Sequence, residues 1–274
     1  LELRQFLVEQ ISRTGGHLAS NLGAVELTVA IHRVFDTSTD RLVFDVGHQC
    51  YVHKALTGRR ELFSTLRQFQ GLSGFPKPSE SVTDAFVAGH ASNSISVALG
   101  MARARTLRGE SYDVAALIGD GALTGGLAYE GLADCGESGE AIVSVLNDNG
   151  MSINSNVGGM ARLLSAQRVK PSYIAIKRFY HRTIGRVEPV YRVLHVVKEW
   201  IKDLFLPDNM FEDMGFYYLG PVDGHDEKTL ERTLRYARDM RRPVLLHIKT
   251  ETGRGSAPAE AEPEIILLKI SSLT

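Results

Sequence analysis

Short apolar runs and longer amphipathic stretches take turns along the chain. RLVFDVG (41–47), DVAALIGD (113–120), EAIVSVLND (140–148), GFYYLGPV (215–222) and PVLLHIKT (243–250) have the length and the β-branched or aromatic content of strands. Most are apolar almost throughout, as strands buried on both faces are. Between them the apolar positions recur at helical spacing: Ile95, Ala98, Leu99 and Ala102 mark one helix face, and Leu230, Leu234 and Ala237 mark another within DEKTLERTLRYARDMR. The alternation predicts an α/β fold, a mostly parallel sheet with helices on both faces. Ligands of such sheets bind beyond the carboxyl ends of the strands.

Residues 160–204 differ from this pattern. Ten Lys or Arg stand against two Glu between Arg162 and Lys202, interleaved with Tyr173, Ile176, Phe179, Tyr191, Leu194 and Trp200. One or two long amphipathic helices with a solvated basic face account for this better than a phosphate-attracting lid. Elsewhere the charge is balanced. A formal net charge of −1 over 274 residues gives no electrostatic case for nucleic acid or an anionic membrane surface, so any anion site must be local. Two cysteines make no disulfide framework and have no metal-type spacing, and no run of about eighteen apolar residues is present. The expectation is a cytoplasmic protein with neither nucleic-acid nor membrane partner. The chain begins at Leu1 rather than Met, as a fragment would.

The chemistry gathers at two strand ends. LIGDGALTGG (117–126) places four glycines and one aspartate directly after an apolar run, where a backbone must pass close to something such as a phosphate. Gly119-Asp120-Gly121 closes one predicted strand and Asn147-Asp148-Asn149 the next, with 25 residues between the triplets holding one helix and a return strand. The two triplets should therefore lie side by side at one sheet edge. Mg²⁺ takes hard oxygens in a near-octahedral shell and uses only one or two carboxylates beside phosphate and water. Asp120 can give a carboxylate oxygen, Asn149 an amide oxygen, and Met151 a backbone carbonyl. The helix starting near Gly125 directs free N–H groups at the same charge. Paired turns are the plainer explanation of either triplet alone, since Gly-Asp-Gly is good turn chemistry. His17, His48 and His90 all lie at glycine-flanked ends of elements, where an imidazole can move protons or steady an oxyanion.

GDG followed at this distance by NDN resembles the signature of thiamin-diphosphate enzymes. GDGALTGGLAYEGL and LNDNGMSI are similar to one branch, the 1-deoxy-D-xylulose-5-phosphate synthases. Transketolases usually carry a glutamate in the GDG loop where this chain has Gly125 or Gly126. Further matches are RTGGHLASNLGAVELT (13–28), DVGHQCYVHKALTGR (45–59), GFPKPSES (74–81), GHASNSISVALGMA (89–102), LPDNMFEDMGFYYLGPVDGHD (206–226) and GRGSAPAE (253–260). The resemblance covers roughly residues 1–260 and corresponds to the family's N-terminal, diphosphate-binding domain, leaving 261–274 as a tail unlike the family.

What the resemblance implies is a thiamin-diphosphate- and Mg²⁺-dependent transferase that condenses pyruvate, with loss of carbon dioxide, with glyceraldehyde 3-phosphate. By the same resemblance His17 faces the reacting carbon of the cofactor, and His48 serves proton transfer and cofactor contact. Gly89, His90, Ala91, Gly121, Ala122, Asn149 and Ser256 contact the cofactor, while Asp120, Asn149 and Met151 hold the metal. The family more often has serine at Ala91 and tyrosine at Ser256. Asp148 is expected to be structural, Cys50 and Cys135 to be unreactive, and PVDGHD with His225 to be a capping turn before DEKTLERTL. The glutamate that activates the cofactor lies, in the family, in a separate pyrimidine-binding domain that this chain does not reach. Alternatives are a catalytically silent binding module or one half of a split transketolase-like enzyme. A homodimer is the family's rule.

Overall fold

The computed structural model describes residues 2–149 and 210–261. Two compact units divide the chain, one formed by 1–156 with 214–274 and the other by 157–213. Within the first unit the amino-terminal third is mostly helical, with α1 (Glu2–Thr14), α2 (Leu18–Gly23) and α3 (Val25–Val34) preceding β1 (Arg41–Phe44). A single helical turn, α4 (Tyr51–Lys54), then runs through an interruption at Thr57 and Gly58 into tight turns at Arg60–Thr65. The rest alternates: α5 (Ser94–Arg108), β2 (Val114–Gly119), α6 (Asp120–Leu123), α7 (Gly126–Ser138) and β3 (Ile142–Asp148). Of the second unit only 210–213 are described, as one turn, α8 (Met210–Asp213). Then follow β4 (Tyr217–Asp223), α9 (Glu227–Asp239), β5 (Pro243–Lys249) and α10 (Ala257–Ala261). The basic stretch 160–204, Met151 and the tail from 262 onward lie outside the described residues.

The five described strands are all parallel, in the order β1-β2-β3-β5-β4. Because successive side chains alternate across a strand, the central strands send Leu117, Val145 and Leu246 into one core with α1, α3 and α9. Their neighbours Ala116, Ile118 and Ile142 are buried on the opposite face, where α5 packs across the sheet and against α7. The expected helix faces hold: Ile95, Ala98, Leu99 and Ala102 of α5, and Leu230, Leu234 and Ala237 of α9, are all buried. At the start of α9 the Asp226 carboxylate accepts from the Thr229 backbone N–H at 3.2 Å and its hydroxyl at 2.6 Å, a side-chain N-cap.

Two strands are shorter than the apolar runs suggest. RLVFDVG stops pairing at Phe44 because Asp45 turns its carboxylate to the N–H groups of Ser92 and Ser94, at 2.8 and 3.0 Å. Val46 then adopts φ 58°, a conformation that a β-branched residue rarely takes. GFYYLGPV pairs only from Tyr217, after the buried Phe216. The strands run the same way, so their carboxyl ends present Asp45, Asp120 and Asn149 along one edge.

Candidate active site

Two histidine rings meet at this edge. His17 precedes α2, His48 follows the β1 turn, and their ring centroids lie 5.6 Å apart. Tyr51 and Phe75 flank His17, the tyrosine hydroxyl 3.4 Å from its Nδ1 and the phenyl centroid 6.1 Å from the imidazole. Asn21, wholly buried, brackets the group: its side-chain amide donates to the carbonyls of His17 and His48, both at 2.7 Å, and its oxygen accepts from the Tyr51 N–H at 2.9 Å. Sequence reasoning passed over Asn21, although the run of small polar residues inside HLASNLG was a signal of tight polar packing.

Burial lowers the pKa of His17, helped by the positive Arg67. Burial, followed by its neighbour His17, takes His48 down to about 4. Both rings are therefore neutral near pH 7. His48 Nδ1 is buried and has no hydrogen-bond partner among the described residues. A buried polar atom left without a partner is costly unless a ligand satisfies it.

The segment 89–91, expected from the sequence to contact a cofactor, joins the turn that carries His48. The Val46 N–H donates to the His90 carbonyl at 3.2 Å, joining the β1 turn to that segment. His90 and Ala91 are exposed, and a Cβ added at Gly89 would meet nothing within 4 Å. Gly121 and Ala122 lie in the single turn of α6, whose first residue, Asp120, is 2% exposed. Gly119 pairs with Asn147 in the β2–β3 register, so Asp120 and Asn149 follow at the carboxyl ends of adjacent strands. Asn149 is half-buried, and Met151 lies outside the described residues. Among the described residues no group of three or more His, Cys, Asp or Glu could hold a metal by itself. One carboxylate, one amide and open glycine backbone suit instead a hard cation that takes its other oxygens from a diphosphate.

The neighbouring triplet residues are committed elsewhere. Asn147 bridges Gln49 (3.2 Å) and the Thr250 hydroxyl (2.6 Å). Asp148 meets His247 Nε2 at 2.9 Å, whose Nδ1 meets the hydroxyl of the half-buried Tyr218 at 2.7 Å, a chain across three strands. Asp148 is thus structural, as its alternation against Asn149 predicts. Ser256 starts α10, its carbonyl accepting from Ala259 and Glu260 at 2.8 and 2.9 Å, and the preceding Gly253 N–H donates to Ala19 of α2 at 2.9 Å. The hydrogen bonds described for Ser256 are those of a helix start, and none of them reaches the histidine pair. His225 is a clasp: Nε2 accepts from the Glu251 N–H at 2.9 Å and Nδ1 lies 3.1 Å from Glu26, which also pairs with Arg4. Cys50 and Cys135 are fully buried, and burial pushes both thiols up to about 12.

Around α4 lies a largely buried ionic network that sequence reasoning did not find. The Asp84 carboxylate accepts two bonds from Arg59 (2.6 and 2.8 Å), one from His53 (2.9 Å) and one from the Lys77 N–H (2.7 Å). Burial would raise its pKa, but these donors hold it well below the usual carboxylate range. Lys54, with no exposed side-chain surface, pairs with Glu80. The loop 77–84 is pinned in this way to α4 and the turn after it.

A family profile described as 1-deoxy-D-xylulose-5-phosphate synthase matches residues 1–250. Among curated relatives, the 1-deoxy-D-xylulose-5-phosphate synthase of Caldanaerobacter subterraneus subsp. tengcongensis is 50% identical over 267 residues, which are 96% of this chain and 43% of that protein. The Clostridium tetani protein of the same name is 51% identical over the same length and shares. The chain therefore spans less than half the length of these relatives. Among solved structures, transketolase from Campylobacter jejuni superposes with a TM-score of 0.67 at 20% identity, covering 96% of this chain and 38% of that one, a likeness of fold.

Proposed function

The chain belongs to the 1-deoxy-D-xylulose-5-phosphate synthase family, and on that premise we propose that it forms the diphosphate- and Mg²⁺-binding part of a thiamin-diphosphate-dependent synthase. The reaction is the decarboxylating condensation of pyruvate with glyceraldehyde 3-phosphate, carried out in the cytoplasm by a homodimer. A pyrimidine-binding domain, in cis or in trans, is needed beside the residues described. The observation that carries this reading is the convergence at one sheet edge of Asp120, Asn149 and two neutral histidines, one with an unsatisfied buried nitrogen.

When bound, thiamin diphosphate supplies the carbon nucleophile and the electron sink. The chain's own residues bind, orient and move protons. Asp120, Asn149 and the Met151 carbonyl would hold Mg²⁺ against the diphosphate oxygens, while the backbone at Gly121 and Ala122 lies along the same charge. His48, held neutral, is suited to hydrogen-bonding through its free Nδ1 rather than to carrying a charge, as a ring with so low a pKa is a weak base. His17 is half-buried and in hydrogen-bond contact with the Tyr51 hydroxyl, so it is the better placed proton carrier. Gly89, His90 and Ala91 would line the cofactor's approach. Ser256 contributes through the segment that braces α2.

Calorimetric titration of thiamin diphosphate into the protein, with and without Mg²⁺, tests the binding. Uptake that depends on Mg²⁺ and is lost in Asp120→Asn is expected, and metal-independent or absent uptake overturns the reading. Release of carbon dioxide from pyruvate by the same preparation distinguishes a synthase from a module that only binds, and use of ketose phosphates in place of pyruvate would mark a transketolase-like enzyme.

A further inference from the structure

Ser92 stands where the site's loops meet. It is 8% exposed and has φ 73°, in the left-handed region that a serine seldom occupies. Residues held in such conformations persist only where their surroundings over-determine them, and here the surroundings are on view. The Ser92 N–H donates to Asp45 Oδ1 at 2.8 Å, tying it to the turn that carries His48. Its hydroxyl donates to the Ala122 carbonyl at 2.6 Å, tying it to the GDG loop. Directly before it in the chain stand the exposed His90 and Ala91. Three loops, each with residues assigned to the cofactor, are thus joined through one small side chain.

The contact with Ala122 has a directional consequence. That carbonyl accepts from the Ser92 hydroxyl and from the Gly125 N–H at 3.2 Å, so both of its lone pairs are engaged. A peptide group fixed in this way cannot swing its oxygen toward an anion, which would repel it. The same serine explains the glycine that follows. A Cβ at Gly125 would fall 2.2 Å from the Ser92 hydroxyl and 2.9 Å from its Cβ, whereas one at Gly126 would meet nothing within 4 Å. Gly125 has φ −77° and ψ 143°, which any residue adopts, so the exclusion comes from Ser92 and not from the backbone.

We propose that Ser92 is a positioning residue for the diphosphate cradle, setting the distance between the His48 turn and the GDG loop through its bonds to Asp45 and Ala122 and requiring glycine at position 125. This rests on the functional reading above. The test is thiamin diphosphate affinity by calorimetry in the presence of Mg²⁺, with unphosphorylated thiamin as the comparison and thermal melting of each apo-protein alongside. Ser92→Ala is expected to weaken thiamin diphosphate about ten-fold, the worth of one buried hydrogen bond, and to lower the apo melting temperature by about 2–4 °C, while leaving thiamin affinity nearly unchanged. Gly125→Ala is expected to weaken the diphosphate further, Ser92→Gly/Gly125→Ala to recover the affinity of Ser92→Gly alone, and Gly126→Ala to bind like the wild type. Ser92→Gly also removes the left-handed strain, so it reads the same hydrogen bond if Ser92→Ala does not fold. Wild-type diphosphate affinity in both Ser92 variants, an equal loss for thiamin, or a Gly125→Ala defect that Ser92→Gly leaves in place overturns the role of Ser92. A wild-type protein that binds no thiamin diphosphate overturns the functional reading, and this inference with it.

Discussion

Replacing Asn21 by alanine removes three hydrogen bonds from a position with no solvent exposure. The Tyr51 N–H opens α4 and has no preceding turn to bond, and the His48 carbonyl lies outside any helix or strand, so neither regains a partner within regular structure. A typical net value of 0.5–1.5 kcal/mol per bond, with desolvated groups left unpaired, makes the expected loss about 2–4 kcal/mol. For a chain of this size that is a fall in melting temperature of roughly 4–16 °C. Asn21→Asp should be worse at neutral pH. It keeps the acceptor for Tyr51 but sets a carboxylate against two carbonyl oxygens, and its destabilisation should ease as the pH falls and the carboxyl takes up a proton. Differential scanning calorimetry of both variants between pH 5 and 8 reads these effects, and thiamin diphosphate titration reads the loosening of the His17–His48 pair. An Asn21→Ala protein melting within about 2 °C of wild type, or an Asn21→Asp protein more stable than Asn21→Ala at pH 7.5, would refute the bracket.

Other outcomes follow from the buried groups. His48 and the half-buried His32 both have pKa values lowered to about 4, so the unfolded chain takes protons first as the pH drops below 6.5. Stability should be intact above that value and fall steadily toward pH 4, by up to about 3 kcal/mol per histidine, and a flat urea-denaturation profile from pH 7 to 4.5 contradicts this. Asp84→Asn strips the buried Arg59 of its two-bond carboxylate partner and should cost about 3–5 kcal/mol in urea melts; a loss below about 1 kcal/mol would mean that the network is not coupled. Tyr218→Phe deletes one hydrogen bond to His247 and should cost about 1 kcal/mol, while His247→Leu, which also strips Asp148 of a partner, should cost about 2–3 kcal/mol. Equal losses in the two variants would place the chain's value in Tyr218 alone.

Much of the sheet was legible because its strands are buried on both faces and announce themselves as unbroken apolar runs. Helix α5 and helix α9 were legible from their four- and three-residue apolar faces, and the GDG and NDN triplets from their place directly after strands. Other features depend on contacts between distant residues. Nothing local tells that β5 enters between β3 and β4, or that Asp45 leaves β1 to bond the first N–H of α5, 49 residues later. Lys54, Arg59 and Asp84 look like ordinary surface charges until the fold brings them together out of water, with the half-buried Glu80 beside them. Asn21 and Ser92 are small polar residues in small-residue runs, and their roles come from which carbonyls surround them. His225 showed itself only as part of PVDGHD; its partners are 199 and 26 residues away.

The strand order bears on how the polypeptide is made. Among the described strands β4 has a single neighbour, β5, and β3 needs β5 to cover its second side. During synthesis residues 217–223 leave the ribosome before 243–249, so among the described strands β4 emerges without its partner and β3 keeps an edge of unpaired N–H and C=O groups until β5 arrives. A nascent chain stalled between these points would offer an adhesive border to other chains, and β5 is the piece whose arrival removes it.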